Sequence, residues 1–333
     1  MFVTFIVLLA ILAVALADVR ENIEKQFYDH IAKYNLKFAD GKEFVQRLEI
    51  FSDNVKKIEE HNASGQTWKM GQNQFSHLTF DEFVDAVRIG GYRSPSLRKS
   101  GDSVHEAPAD MSSVPTSVNW VTAGAVTGVK DQGNCGSCWA FSTTGSLEGA
   151  YKLKYGTLKS FSEQELVSCD TGNGDMGCNG GLMDYAFNFV KKNGGITTED
   201  AYPYTSGKTG QTGSCVKTEY TNDPKVAPQS YTDVKTNDVN SLMSAVAKQP
   251  VSIAIQANQA AFQSYSGGVL TGSCGTRLDH GVLAAGYGTE NGVDYWLVKN
   301  SWGTSWGESG YIKIEKSSAN KCGVLSEPSY PNL

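Results

Sequence analysis

No cysteine precedes Cys135, and all 7 fall between Cys135 and Cys322. Disulfides are therefore excluded from the N-terminal part of the chain, which must hold together by packing alone. Clustered Lys and Arg are also missing, and the formal net charge is -6 over 333 residues. Without basic runs a protein cannot displace counterions from phosphates, which excludes nucleic acid as a partner. Long apolar runs are confined to the start, where Phe2 to Ala17 is almost wholly apolar. That stretch falls short of the roughly 20 residues that span a bilayer, which argues against a membrane anchor. Its Ala15-Leu16-Ala17 ending, followed by Asp18-Val19-Arg20-Glu21, has the pattern of a signal peptide over residues 1–17, although a basic n-region is missing. The expectation is entry into the secretory pathway, ending in a lysosome or acidic vacuole or outside the cell, with no membrane association once the leader is removed.

An odd cysteine count has a consequence in an oxidising compartment. Six of the 7 can pair and one thiol is left over, and an unpaired thiol is a liability there unless it is used. With 40% hydrophobic and 19% charged residues the chain can bury a full core, in one to three folded units.

Residues 18 to about 105 read as a small helical module. Ile23, Phe27, Ile31 and Tyr34 share one helical face, and Phe44, Leu48, Phe51, Val55 and Ile58 recur at helical spacing in a longer amphipathic helix. Thr79 and Glu82 stand at capping-box spacing, with Leu78 and Phe83 as the hydrophobic staple of a third helix. Gly90-Gly91 and the Ser, Gly and Pro residues between Ser94 and Pro108 then predict an exposed, cleavable linker.

From about Val114 the composition shifts towards Cys, Trp and Gly. Helices are expected from Cys138 towards Tyr155, after a staple and capping box at Phe161 to Leu166, and through Leu182, Tyr185, Ala186, Phe189 and Val190. The second half reads as short β-branched or aromatic strands: Val251 to Gln256, Gly281 to Gly288, Asp294 to Asn300 and Gly310 to Glu315. Helices followed by strands predict an α+β fold in two lobes, with a cleft between them as the place for a site.

Cys135-Gly136-Ser137-Cys138-Trp139 is the most informative stretch. Alone, Cys-x-x-Cys is compatible with a redox pair, half a zinc site, or one structural and one catalytic cysteine. The redox reading expects a preceding buried strand, whereas Gln132-Gly133-Asn134 stands there, and zinc needs a second clustered pair that Cys169 and Cys178 do not supply. No metal or cofactor is expected.

The segment Gln132 to Ser142, then Asp279-His280-Gly281-Val282, then Asn300-Ser301-Trp302-Gly303, resembles in that order the active-site segments of the papain family, close to its cathepsin L group. The resemblance implies a papain-like two-lobed fold, with a helical left lobe and a β-barrel-like right lobe, and a cysteine endopeptidase acting on proteins and peptides. Cys138 becomes the nucleophile, its thiolate favoured by a helix N-terminus and a nearby imidazolium. His280 becomes its proton partner, Asn300 the group orienting His280, Trp302 the cover of that bond, and Gln132 with the Cys138 N–H the oxyanion donors. Disulfides Cys135–Cys178, Cys169–Cys215 and Cys274–Cys322 are implied by the family alone, since six cysteines allow 15 connectivities.

By the same resemblance Gly180 and Gly181 form a backbone wall that pairs with an extended substrate. Leu182, Met183, Ala254, Leu278 and Gly281, beside Asp279, line the pocket for the residue second before the cut bond. Glu327 at the pocket's base departs from the small residue of cathepsin L and suggests that Arg is accepted besides hydrophobic residues. Glu43, Arg47, Ile50, Phe51, Asn54, Ile58 and Asn62 match the family's ERFNIN propeptide helix, here 43–62. Residues 18–112 then form an inhibitory propeptide and 113–333 the mature peptidase, with the cut between Ala107 and Val114. Gly71, Asn73 and Phe75 continue into a second propeptide motif, but His77 stands where the family usually has Asp. A histidine there would charge as pH falls through about 6.5, beginning release at milder acidity. Asn62-Ala63-Ser64 is a glycosylation acceptor pattern. Expected partners are substrates, the chain's own propeptide as intramolecular inhibitor and cystatin-type inhibitors, with a monomeric enzyme. The competing readings are a catalytically inactive papain-fold binding or inhibitory protein, and a disulfide oxidoreductase cycling Cys135 and Cys138.

Overall fold

The described residues of the computed structural model are 20–93, 100–172, 174–218 and 220–333. The leader expected at 1–17 and the linker stretch 94–99 lie outside them. The N-terminal module holds α1 (residues 20–34), α2 (Gly41–Ala63), β1 (Trp68–Met70), α3 (Phe80–Ala86) and β2 (Ser103–His105). The body begins with β3 (Val118–Asn119), α4 (Cys138–Tyr155), α5 (Glu163–Cys169), α6 (Met183–Lys192) and α7 (Ser206–Thr209). It continues with β4 (Ser230–Val234), α8 (Val239–Val246), β5 (Val251–Ile255), α9 (Ala260–Ser264), β6 (Tyr265–Leu270), β7 (His280–Glu290), β8 (Val293–Lys299), β9 (Tyr311–Glu315) and β10 (Ser329–Asn332).

The apolar faces of α1 and α2 meet as their periodicity requires. Phe27, Phe51 and Val55 are buried between them, with Ile23, Ile31, Phe44 and Leu48 packed against that core. Burial of each such side chain stabilises by about 1.5–3 kcal/mol, which is how a crosslink-free module holds together. Thr79 accepts from the Glu82 N–H while the Glu82 carboxylate accepts from the Thr79 N–H, a complete capping box at the start of α3. At α5 only half of the expected box forms. Ser162 caps the Glu165 N–H, but the Glu165 carboxylate accepts instead from the Thr197 N–H at 2.8 Å and Asn193 Nδ2 at 2.7 Å. A tertiary partner has displaced the local one.

Among the described residues the body has two large apolar cores and a small third one of Val126, Leu283 and Ala285. One gathers Trp139, Leu147, Phe161, Leu166, Phe187 and other residues of the helical half, the other Ile253, Phe262, Val282, Trp296 and Ile312 of the strand half. The strands form one sheet in the order β1-β6-β9-β8-β7-β5-β10-β4-β2, with β3 also paired to β7. This corrects the barrel-like expectation, because the sheet is open. Its two outermost strands both come from the N-terminal module: β1 pairs antiparallel with β6, and β2 pairs parallel with β4. Each edge that would have to meet the other to close a barrel is instead covered by a module strand.

The linker expectation is corrected in the same way. Its C-terminal part, Ser103–His105, is strand β2, with His105 buried at 9% exposure. Short strands of two to four residues such as β1, β2 and β3 carry too little alternation to be read from sequence.

Asn54 Nδ2 donates to the Ser76 and Leu78 carbonyls, and Arg47 bonds Glu82 at 2.7 Å, so α2 organises the turn that follows it. Asn62 exchanges two bonds with the Met70 backbone, donating from Nδ2 to its carbonyl at 2.8 Å. His77 lies 3.2 Å from His30, ring nitrogen to ring nitrogen. Burial, then the neighbouring Arg47 cation, lowers His77 to about 4, and burial with His77 and Lys33 lowers His30 likewise to about 4. The expected titration near 6.5 is thereby moved down, because the ring is packed away from water rather than facing it.

The sign of the resulting linkage follows from that depression. Between their ordinary value of 6.5 and about 4 the two histidines take up protons in the unfolded module and not in the folded one. Stability they confer above 6.5 is therefore lost as pH falls towards 4. Thermal unfolding of a Cys138→Ala precursor should show a lower midpoint for the module at pH 4.5 than at pH 7, and His30→Gln with His77→Gln should shrink that difference. A difference of the same size in the double variant would remove the pair from the acid response.

Candidate active site

Cys138 is the first residue of α4, which runs 18 residues to Tyr155. Six cysteines are bonded as Cys135–Cys178, Cys169–Cys215 and Cys274–Cys322, and Cys138 is the free thiol. The Cys135–Cys178 bond ties the loop before α4 to the segment leading to Gly180, both on the helical side of the cleft. Across from α4, β7 starts at His280, and the Gly281 N–H donates to Cys138 Sγ at 3.3 Å. The sulfur thus sits one residue along the backbone from the imidazole.

His280 Nε2 is 2.7 Å from Asn300 Oδ1, which also accepts from the Ser301 N–H at 2.8 Å. An oxygen already receiving a backbone N–H must accept from the ring as well. Nε2 therefore carries the proton, and Nδ1 is the basic nitrogen, buried and without a hydrogen-bond partner. Trp302 stacks on His280 with ring centroids 4.8 Å apart and is 1% exposed, keeping water from the His280–Asn300 bond.

Gln132 is held at both ends of its amide. Oε1 accepts from Ser301 Oγ at 2.7 Å, and Nε2 donates to the Cys135 carbonyl at 3.1 Å and to the Val87 carbonyl of the N-terminal module at 3.3 Å. Just before it, the half-buried Lys130 bridges Glu148 at 3.1 Å and Glu163 at 2.6 Å. These ion pairs anchor the Gln132 loop to α4 and α5. Sequence reading missed Ser301, Lys130, Glu148 and Glu163; a lysine two positions before Gln132 has no motif to mark it.

The N-terminal module occupies the cleft. The Gly181 N–H donates to the Gly91 carbonyl and the Arg93 N–H to the Gly181 carbonyl, both at 3.0 Å, and Tyr92 forms a parallel bridge with Gly181. Gly90 N–H and Tyr92 N–H both donate to the Asp279 carbonyl. The approach leaves no room for side chains. A Cβ on Gly91 would lie 2.7 Å from the Gly136 carbonyl oxygen, and one on Gly181 would lie 2.6 Å from Asp175 Oδ1 and from the Trp139 ring. Asp175 fixes this strand further by accepting from the Leu182 N–H at 2.7 Å.

Tyr92, 3% exposed, enters an apolar cluster with Leu182, Met183, Ala254 and Leu278, and its hydroxyl donates to Glu327. Gly281 borders the same space, since a Cβ there would be 3.3 Å from Met183 Sδ. Phe75 and Phe83 of the module stack edge-on against Trp302, at 6.3 and 5.6 Å between centroids.

This coverage reverses the expected ionisation. Burial, reinforced by the Asp279 carboxylate, pushes the Cys138 thiol up to about 12, against the Gly281 and Trp139 N–H groups that favour the thiolate. Burial lowers His280 to about 4, although Asn300 favours its charged form. Both shifts run in the direction that favours the neutral thiol and the neutral imidazole in the covered cleft, since burial opposes charge on either partner.

Comparison with known proteins places this geometry. Residues 114–332 match the papain family cysteine protease domain, and residues 27–83 match the cathepsin propeptide inhibitor domain. The chain is 48% identical over 318 residues to a probable cysteine protease RD21B of Arabidopsis thaliana, covering 95% of this chain and 67% of that protein. It is 48% identical to the cysteine proteinase COT44 of Brassica napus over 86% of this chain and 88% of the relative. The digestive procathepsin L 3 of Tenebrio molitor larval midgut superposes with a TM-score of 0.81 at 38% identity, covering 93% of this chain and 99% of that one. The chain therefore belongs to the papain family of cysteine proteases, as a proenzyme that carries its propeptide.

Proposed function

We propose that the proenzyme is cut to a mature peptidase beginning near residue 113 and hydrolyses peptide bonds through an acyl-enzyme on Cys138. The observation that carries this reading is the free thiol at the start of α4, bonded by the Gly281 N–H and adjoining a His280 whose Nε2–H donates to Asn300 Oδ1. Once the segment around Val87 to Arg93 leaves, water reaches the cleft and the proton moves from Cys138 to His280. The thiolate adds to the substrate carbonyl, and the Cys138 N–H and Gln132 Nε2 receive the oxyanion, a donor of this kind being worth about 3 kcal/mol. His280 returns its proton to the departing amine, a step worth about 10²–10⁴ in rate. A water, deprotonated by the same nitrogen, then releases the acyl group and restores the thiol.

Gln132 Nε2 already donates to a carbonyl in the latent state, that of Val87, which supports its role as a carbonyl-oxygen donor. An inactive binding protein on this scaffold is disfavoured because every catalytic residue type is retained. A disulfide oxidoreductase is disfavoured because Cys135 is bonded to Cys178. The leader, the disulfides and the relatives together favour the secretory pathway, with an acidic vacuole, lysosome or exterior as destination. One-to-one alkylation of the acid-processed chain at Cys138 by an epoxide thiol inhibitor, with parallel loss of peptide hydrolysis, tests the reading. Retained hydrolysis after complete modification would overturn it.

The pocket that holds Tyr92 is proposed to receive the residue second before the cut bond. Its Leu182, Met183, Ala254 and Leu278 lining favours Leu, Phe or Val, and Glu327, which accepts from the Tyr92 hydroxyl, favours a donor such as Arg. Glu327→Ala is expected to lower kcat/KM for Arg relative to Leu substrates by about 10- to 100-fold, the worth of one charge-assisted bond. An unchanged Arg to Leu ratio would remove Glu327 from specificity.

A further inference from the structure

We infer that the outer edge of β4 is a peptide-docking site of the peptidase body, separate from the cleft, and that its occupant is this chain's own segment Gly101–Ala107. The segment runs along β4 in parallel register, Ser103 opposite Thr232, Val104 opposite Asp233 and His105 opposite Val234. The Asp102 N–H donates to the Tyr231 carbonyl at 3.2 Å, and the Lys235 N–H donates to the His105 carbonyl at 2.9 Å. This is strand addition, in which the main chain supplies binding and alternate side chains supply choice.

One side chain of the strand is taken in by the body. Val104 points out at 56% exposure, while His105 is 9% exposed. Ser103, itself exposed, places Oγ 2.7 Å from Thr232 Oγ1, and the buried His105 places one ring nitrogen 2.7 Å from Ser244 Oγ of α8 and the other 3.2 Å from the Tyr330 hydroxyl of β10. Both ends of the segment are tied as well. The Gly101 N–H donates to Asp233 Oδ2 at 2.7 Å, and the Ala107 N–H donates to Ser241 Oγ at 2.8 Å. An accidental crossing of a linker would not satisfy both ring nitrogens and both ends.

The partners come from β4, α8 and β10, whereas the cleft segment is held by Gly136, Gly181, Asp279 and Glu327. Emptying the cleft therefore leaves this second seat intact. The inference rests on the propeptide reading but not on catalysis. A chain cut beyond Ala107 keeps the segment bound without a covalent link, and its departure opens an edge that accepts an extended peptide with a small polar residue two positions before a histidine.

Hydrogen exchange on the intact Cys138→Ala precursor tests the separation. The amides of Asp102 and Lys235 are expected to exchange at least about tenfold more slowly than unstructured amides. Gly91→Ala should speed exchange at Tyr92 and Gly181 without changing them, and Ser244→Ala or His105→Ala should speed them without changing the cleft. Exchange of Asp102 at the unstructured rate, or its acceleration by Gly91→Ala, would overturn the inference. In a second arm, a synthetic Gly101–Pro108 peptide should bind the processed enzyme saturably with its thiol blocked by a cleft-filling inhibitor, and a His105→Ala peptide should not. Absence of binding, or equal binding of both peptides, would also overturn it. Because every sample has an inactive thiol, a failure here is distinguishable from failure of the peptidase reading, which is judged by turnover.

Discussion

Cys138→Ala is expected to leave the chain as uncut precursor and, after its propeptide is removed by an added protease, to lower peptide hydrolysis by about 10⁶-fold. The size of the loss follows from how the site is assembled. Gln132, His280 and Asn300 are each held by bonds that do not involve the sulfur, at the Ser301 hydroxyl, the Asn300 oxygen and the Ser301 N–H. Removing the sulfur leaves that frame standing with nothing to form the acyl bond. His280→Ala should lose nearly as much, and the double variant little more than either, since members of one catalytic unit do not add. Initial rates on a peptide substrate decide it: a Cys138→Ala enzyme within about tenfold of wild type would sink the assignment.

Gly91→Ala is expected to weaken latency more than any other single-methyl change in the propeptide. The added carbon would meet the Gly136 carbonyl oxygen at 2.7 Å and its carbon at 2.8 Å, and both are backbone atoms that cannot rotate aside. Overpacking of this kind costs about 1–3 kcal/mol, so an isolated propeptide carrying the change should inhibit roughly 5- to 150-fold more weakly. The variant precursor should also show more activity at neutral pH than the parent precursor. Equal inhibition by the two propeptides would show that the chain is not held against Gly136 in solution.

The parts of this protein that were legible in its sequence are those carried by local rules or by ordered motifs. The faces of α1 and α2 follow from spacing, and the Thr79–Glu82 box follows from two residues. Cys138, His280 and Asn300 were named from three separated segments that the structure brings to one cleft. Whatever depends on a partner distant in sequence was hidden. Glu165 has capping spacing but bonds Thr197, and His77 looks like a free titrating group but is packed against His30. The linker reads as exposed because Gly, Ser and Pro dominate it, yet a strand edge lay waiting for part of it. The ionisation of Cys138 in the covered cleft depends on a distant partner in the same way, since helix and imidazole are local features and the propeptide lid is not.

One arrangement bears on biogenesis. The two outermost strands of the sheet are contributed by the N-terminal module, one pairing with β6 and the other with β4. A nascent peptidase body lacking that module would have to collapse with both borders of its sheet unsaturated, each a template for mispairing with other chains. The same hydrogen bonds that silence the enzyme therefore also guard its assembly, so variants selected for easy activation through β1 or β2 should be recovered in lower soluble yield.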